Sequence, residues 1–205
     1  MTANEWNISV RPWTLDQMIV DEVLSEIYTK GVPLYDNDVV VDAGAHIGTF
    51  TLYASQFASK VYAFEPHPEN FEYLTKNVKD NDVKNVELIN VAVLDYDGEA
   101  KFPMAFSFGN TGGSHVSDAG ELIVRSVKLD TVVPKADFLK IDVEGAEMKV
   151  LAGAQRLLKS GPKIAMEVHS GMNLTEVERT LKGYGYKVKH ERTFNLLNHM
   201  VWAWI

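Results

Sequence analysis

The chain has 205 residues, a formal net charge of −8 and no cysteine, with 46% hydrophobic and 23% charged residues. That length suits one domain with one sizeable core, the missing cysteines exclude disulfides, Cys-ligated zinc and iron–sulfur clusters, and the acidic balance argues against a nucleic-acid partner, whose phosphates call for Lys and Arg. No apolar run approaches the ~18 residues of a membrane span, and the N-terminal "MTANEWNISV" lacks the basic-then-apolar order of a signal peptide, so a cytoplasmic protein is expected.

Residues 1–37 read as an N-terminal helical segment. Thr14 and Gln17 in "TLDQ" have capping-box spacing, Leu15, Ile19, Val23 and Ile27 form a stripe, and Gly31 and Pro33 end it. Residues 38–205 read as a single α/β domain. "VVVD" is a short apolar run of the kind buried on both faces, followed by a helix over "GTFTLYASQFA", a strand over "KVYAFEP", a helix over "PENFEYLTKNVKDN" and a third strand over "VELINVAV". Between 98 and 128 the rhythm breaks. "EAKFPMAF" and "ELIVRSVKL" flank the polar, glycine-rich "GNTGGSHVSDAG", which predicts a hairpin-like insertion with a lid loop carrying Asn110, Ser114 and His115. "DFLKIDVEG" and "PKIAMEVH" are the fourth and fifth core strands, joined by one helix over "AEMKVLAGAQRLLKSGP". After a helix over "LTEVERTLKGYG", "YKVKHERTF" and "HMVWAWI" are too closely spaced for a crossover and predict an antiparallel pair. The alternation implies a mostly parallel sheet with helices on both faces.

The turn in "VVVDAGAHIGTF" is the candidate cofactor site. In an open parallel sheet, ligands bind beyond the carboxyl ends of the strands. Gly44, Ala45, His46 and Gly48 make G-x-x-x-G, not the G-x-G-x-x-G of dinucleotide binders. Asp42 before the turn would repel a pyrophosphate but favour a cationic cofactor such as S-adenosylmethionine; otherwise it caps backbone N–H groups. Glu65, 23 residues beyond Asp42, is placed to bind a pair of ribose hydroxyls, with Pro66 beside the base and Asn90, Val91 and Ala92 at its edge.

"VVDAGAHIGTFT", "AFEPHPENFEYLTKNV", "VELINVAV", "FLKIDVEGAE" and "PKIAMEVH" together resemble the FkbM-type family of S-adenosylmethionine-dependent methyltransferases, from about Val39 to His169. The resemblance implies a Rossmann-like class I methyltransferase fold with a seven-stranded sheet and an antiparallel last strand. It also implies methyl transfer to a hydroxyl oxygen of a sugar, polyketide or other small molecule. Positioning a small-molecule hydroxyl acceptor would supply most of the rate, and an alcohol acceptor also needs a base.

Lys140 and Asp142, and likewise Glu167 and His169, are two apart on strands and so share a face. If the faces coincide, the four cluster at the sheet's carboxyl end. Asp142 is the leading active-site candidate, as a holder of the cofactor's methionine part or an orienter of the acceptor. His169, with an unperturbed pKa near neutrality, is the expected proton acceptor, and Glu144 an acid at a helix start. A Lys140–Glu167 ion pair would explain two of the four as structural, and Asp142, Glu167 and His169 could instead hold a divalent ion, although no metal-specific spacing is present. Competing functions are N-methylation of protein or RNA, nicotinamide-dependent hydride transfer and a non-catalytic cofactor-binding module. The polar ends of the fourth and fifth strands favour an enzyme.

Overall fold

The computed structural model describes residues 6–103, 111–113, 116–117, 119–169, 171–193 and 197–205. Asn110, Ser114 and His115 of the expected lid lie outside the described residues.

The central sheet uses β1 (Val39–Ala43), β2 (Lys60–Phe64), β3 (Val86–Ile89), β7 (Phe138–Ile141), β8 (Lys163–Val168), β9 (Lys187–Arg192) and β10 (His199–Trp204), in the order β3-β2-β1-β7-β8-β10-β9. β1, β2, β3, β7 and β8 run parallel, while β10 is antiparallel to both β8 and β9. The chain leaves β1 toward one edge and returns at β7 on the other side of it. The carboxyl end of β1 is therefore the place where strand order reverses and a crevice opens.

Alternate residues face opposite layers. Val41, Leu139, Ile164 and Met166 pack with Val150, Leu151 and Leu157 of α5 (Glu147–Ala152) and α6 (Gln155–Ser160), and with Val177 and Leu181 of α7 (Gly171–Gly183). Val40, Phe138, Ala165 and Trp202 pack on the other face with Val23 of α1 (Asp16–Leu24) and with Phe50 and Ala54 of α2 (Thr49–Ser55). Leu74 and Val78 of α3 (Pro68–Asp80) close over Leu52 and Ala63.

Three local expectations are corrected. The Thr14–Gln17 capping box is not made. Arg11 holds Asp16 through its main-chain N, Nε and Nη2 at 2.9–3.0 Å, and Gln17 donates to Asp21 instead, so α1 starts at Asp16 and stops at Leu24. The helix expected over 146–162 is two helices. Asp130, in the short α4 (Leu129–Val132), accepts from the N–H groups of Arg156 (2.7 Å) and Leu157 (3.0 Å), so it caps a fresh helix start. At the break, a Cβ on Gly153 would sit 2.1 Å from the Leu94 carbonyl oxygen. Finally, "VELINVAV" breaks after Ile89. Asn90 turns its amide to the carbonyls of Glu65 (2.7 Å) and Pro66 (3.2 Å), and β4 (Ala92–Val93) leaves the main sheet. The expected hairpin is β5 (Gly98–Phe102) against β6 (Leu122–Val127), with Gly98 opposite Ser126 and Phe102 opposite Leu122. β4 adds to it in parallel, making a second sheet of three strands.

Candidate active site

The turn after β1 is shaped by its glycines. Gly44 has φ +81°, and a Cβ there would lie 1.8 Å from the Asp142 carbonyl oxygen; Gly48 has φ +93°, and a Cβ would lie 2.6 Å from a methyl of Leu74. These positions need glycine so that the turn can press against the end of β7 and onto α3. Gly44 also borders the cavity described below.

Glu65, just past β2, is 4% exposed. One carboxylate oxygen accepts from the N–H of His46 (2.9 Å), the other from the N–H of His67 (2.9 Å) and the amide of Asn70 (3.3 Å). Burial pushes its carboxyl up to about 7 against the opposing pull of these donors. The carboxylate is thus clamped at the edge of the cavity it lines, where vicinal hydroxyls could donate to its remaining lone pairs. The His46 N–H is used on Glu65. Its ring is half-buried near Thr111 (2.9 Å) and Arg11 (3.3 Å), and desolvation takes it down to about 4, a neutral imidazole.

Asp42 is fully buried under the turn rather than on the cavity wall. It pairs in register with Lys140 on the neighbouring strand. Its carboxylate takes the Thr51 hydroxyl (2.6 Å) and the Lys140 ammonium (3.2 Å). Lys140 also donates to the Gly44 carbonyl (2.5 Å) and lies 3.6 Å from Asp142. The Lys140–Glu167 pair is therefore replaced by Lys140 bridging Asp42 and Asp142. Burial acts to lower the Lys140 pKa, but the two carboxylates more than offset it and hold the pKa above its usual value. Asp142 accepts the Tyr28 hydroxyl at 2.7 Å. Burial would raise its carboxyl, yet Lys140, His169 and Tyr28 hold it below the usual range.

The faces of β7 and β8 do coincide, because Lys140 lies opposite Ala165, two residues before Glu167. His169 sits at the hub. Its Nδ1 is 2.8 Å from Glu147, and its Nε2 is 3.4 Å from Glu144, 3.7 Å from Asp142 and 3.9 Å from Glu167. Burial works against its charge, but hydrogen bonds to Glu144 and Glu147 and the charge of Asp142 lift it to about 11. Held there, the imidazole keeps its proton at neutral pH, in contrast to the pKa near neutrality on which the expectation of a proton acceptor rested. Burial and then the Asp142 charge push Glu167 up to about 7, close to neutrality. Glu144 is not the acid of the helix start, a place taken by Glu147. Glu144 stands in the preceding turn at φ +51°, a strained conformation for a side-chain-bearing residue, and there it faces His169. Asp142, Glu144 and His169 each offer a ligand atom within 4.8 Å of the others.

A cavity of about 310 Å³ joins these groups, within the range of small-molecule sites. Its lining includes Gly44, Glu65, Pro66, Val91 and Ala92, and also Tyr28, Asp142, Glu144, Glu167 and His169. Of the expected cofactor residues, Asp42, Ala45, Gly48 and Asn90 stand behind this wall and shape it. A clamped carboxylate beside an apolar wall fits the ribose and base of a nucleoside, and the carboxylates beyond fit a cationic group. Sequence reasoning missed Tyr28, Asn70 and Glu22 of α1. Tyr28 lies in an irregular turn with no periodic signal, and Glu22 reads as one more solvated helix residue.

Residues 42–188 match the family described as Methyltransferase FkbM domain. The chain is 32% identical over 152 residues to the hexuronic acid methyltransferase AglP of Haloferax volcanii, covering 71% of this chain and 62% of that relative. It is 31% identical over 204 residues to the 31-O-demethyl-FK506 methyltransferase FkbM of Streptomyces tacrolimicus, covering 79% and 77%. The solved FkbM methyltransferase from Methylobacillus flagellatus KT has the same fold, with a TM-score of 0.66 at 17% identity over 86% of this chain and 46% of that one. Solved chains sharing the fold include a SAM-dependent methyltransferase. No helix among the described residues is long and apolar enough to cross a membrane.

Proposed function

Because the chain belongs to the FkbM methyltransferase family, whose methyl donor is S-adenosylmethionine, we propose that it transfers a methyl group to a hydroxyl oxygen of a small molecule such as a sugar. The observation that carries this reading is that one cavity is lined both by the clamped Glu65 and by the Asp142–Glu144–Glu167–His169 cluster. Glu65 would take the ribose hydroxyls, with Pro66, Val91 and Ala92 against the adenine and Asp142 nearest the cationic part. When bound, the cofactor supplies a methyl on a sulfonium, already activated for displacement. The chain's own work is orientation and proton removal. Glu167, raised to about 7, receives the hydroxyl proton. His169, held by Glu147 and charged, donates to the acceptor and steadies negative charge as the proton leaves. Asp142, anchored by Lys140 and Tyr28, positions either ligand.

Residues 1–37 and 98–128 are read as the parts that shape the acceptor end of one domain spanning 38–205. Leu15, Met18 and Glu22 from the first segment and Phe102, Gly112 and Val116 from the second border the cavity. The formal charge of −8 disfavours RNA as the acceptor, and a cytoplasmic location remains part of this reading.

The test incubates the purified protein with methyl-labelled S-adenosylmethionine and a cell extract and follows label by mass spectrometry. Label in small molecules, stable to mild base as an ether is, supports the reading. Label confined to protein or RNA, or in base-labile methyl esters, rejects it.

A further inference from the structure

We propose that the acceptor for this cavity is a sugar-sized hydroxyl compound that also carries an ammonium-type positive charge. The inference rests on the methyl-transfer reading above and deepens it.

The cavity wall presents the carboxyls of Glu22, Glu65, Asp142, Glu144 and Glu167 and no Lys or Arg. None of the residues outside the described set is Lys or Arg either. The positive groups nearby are already committed. Lys140 stands behind the wall, shared between Asp42 and Asp142. His169 is shared among Asp142, Glu144, Glu147 and Glu167, and His46 is neutral. Around Asp142, two cations, Lys140 and His169, thus serve six carboxyls: Glu22, Asp42, Asp142, Glu144, Glu147 and Glu167.

Desolvated carboxylates are costly unless paired, and two of these have no cationic partner of their own among the described residues. Glu167 is bonded by the neutral amide of Asn198 at 2.9 Å and comes no nearer than 3.9 Å to the shared His169. Glu22 has its carboxyl raised by burial and then by Asp142, with no cation among the causes. S-adenosylmethionine carries a sulfonium, an ammonium and a carboxylate, a net charge of only +1, so it leaves the surplus largely in place. An acceptor with an ammonium group beside its hydroxyls would meet Glu22 and Glu167. A hexuronate, the class named for the Haloferax relative, would bring a further carboxylate to an already negative wall. The wall therefore selects by charge as well as by shape, and the discrimination is built partly from repulsion.

Three probes with one ring skeleton test this: methyl glucosaminide, methyl glucoside and methyl glucuronide. Each is titrated by ligand-observed NMR into full-length protein saturated with S-adenosylhomocysteine, with EDTA present and then with added magnesium. The expected order is ammonium, neutral, carboxylate, with the ammonium probe bound on the order of tenfold more tightly than the neutral one. Glu22→Gln, in α1 at the cavity wall, should shrink that preference severalfold while the neutral probe and S-adenosylhomocysteine bind as before, and Glu167→Gln should shrink it further. Equal binding of all three, binding of none, or a preference that survives both substitutions overturns the inference. So does carboxylate binding that appears only with magnesium, which would assign the surplus to a divalent ion at Asp142, Glu144 and His169. Calorimetry with S-adenosylhomocysteine alone separates the two levels: no binding there sinks the methyl-transfer reading itself, whereas normal binding without charge discrimination sinks only this inference.

Discussion

Replacing Lys140 with methionine should be among the most damaging single changes in the crevice. The side chain is 4% exposed, and its ammonium serves Asp42 at 3.2 Å, Asp142 at 3.6 Å and the Gly44 carbonyl at 2.5 Å. Methionine fills much of the volume, so the loss is electrostatic: one fully buried carboxylate and one partly buried one lose their shared cation. Breaking a buried pair by deleting one partner costs roughly 3–5 kcal/mol. For 205 residues, an unfolding entropy of ~2.1 cal/mol/K per residue amounts to ~0.43 kcal/mol/K, so Tm should fall by about 7–12 °C. Scanning calorimetry reads the shift, and urea titration gives the free energy independently. Adding Asp42→Asn removes one stranded charge and should recover a measurable part of the loss, a coupling visible in a double-mutant cycle. A Tm within about 2 °C of wild type, or strictly additive losses in the double variant, would refute Lys140 as the charge that holds β1 and β7 together at the crevice.

Three further outcomes are expected. Gly44→Ala places a Cβ 1.8 Å from the Asp142 carbonyl oxygen at φ +81°, so it should displace the turn, lower Tm by several degrees and weaken S-adenosylhomocysteine binding in calorimetry by more than about tenfold. Glu65→Gln turns one of the two oxygens that accept from the His46 and His67 N–H groups into an NH2, and should weaken the same ligand on the order of tenfold or more. Glu65 in the fold holds its proton up to about 7, above the 4.5 of a free glutamate; its contribution to stability is thus complete below about 4.5 and lost as pH climbs through about 7, and a pH series of urea titrations on the Gln variant should lack that loss. Turnover, once an acceptor is in hand, should rise with pH through about 7 as Glu167 loses its proton; Glu167→Gln should drop the rate by about 10²–10⁴-fold and erase the rise, whereas an unchanged profile would move the base elsewhere.

What could be read from the sequence was whatever repeats along one strand or one helix. The alternation in "FLKID" and "IAMEVH" placed Lys140, Asp142, Glu167 and His169 on common faces, and the structure gathers them. The parity of a single strand carries no information about its register with a neighbour. That register puts Lys140 opposite Asp42, and so its charge went to Asp42 and Asp142 instead of Glu167. The same blindness explains the split of the helix after β7: its second half is started by Asp130, 26 residues before Arg156, a capping contact made through space. His169 shows the limit most sharply. Its type suggested a base with a pKa near neutrality, but Glu147 approaches Nδ1 from its own helix while Asp142, Glu144 and Glu167 surround Nε2. Residue type sets a side chain's range of chemistry; the sign of its shift within that range comes from neighbours distant in the chain. The imidazole most suited by type to accept a proton is thereby lifted to about 11, and in the proposed mechanism the adjoining carboxylate, pushed up to about 7 by burial and then by the Asp142 charge, is given the role.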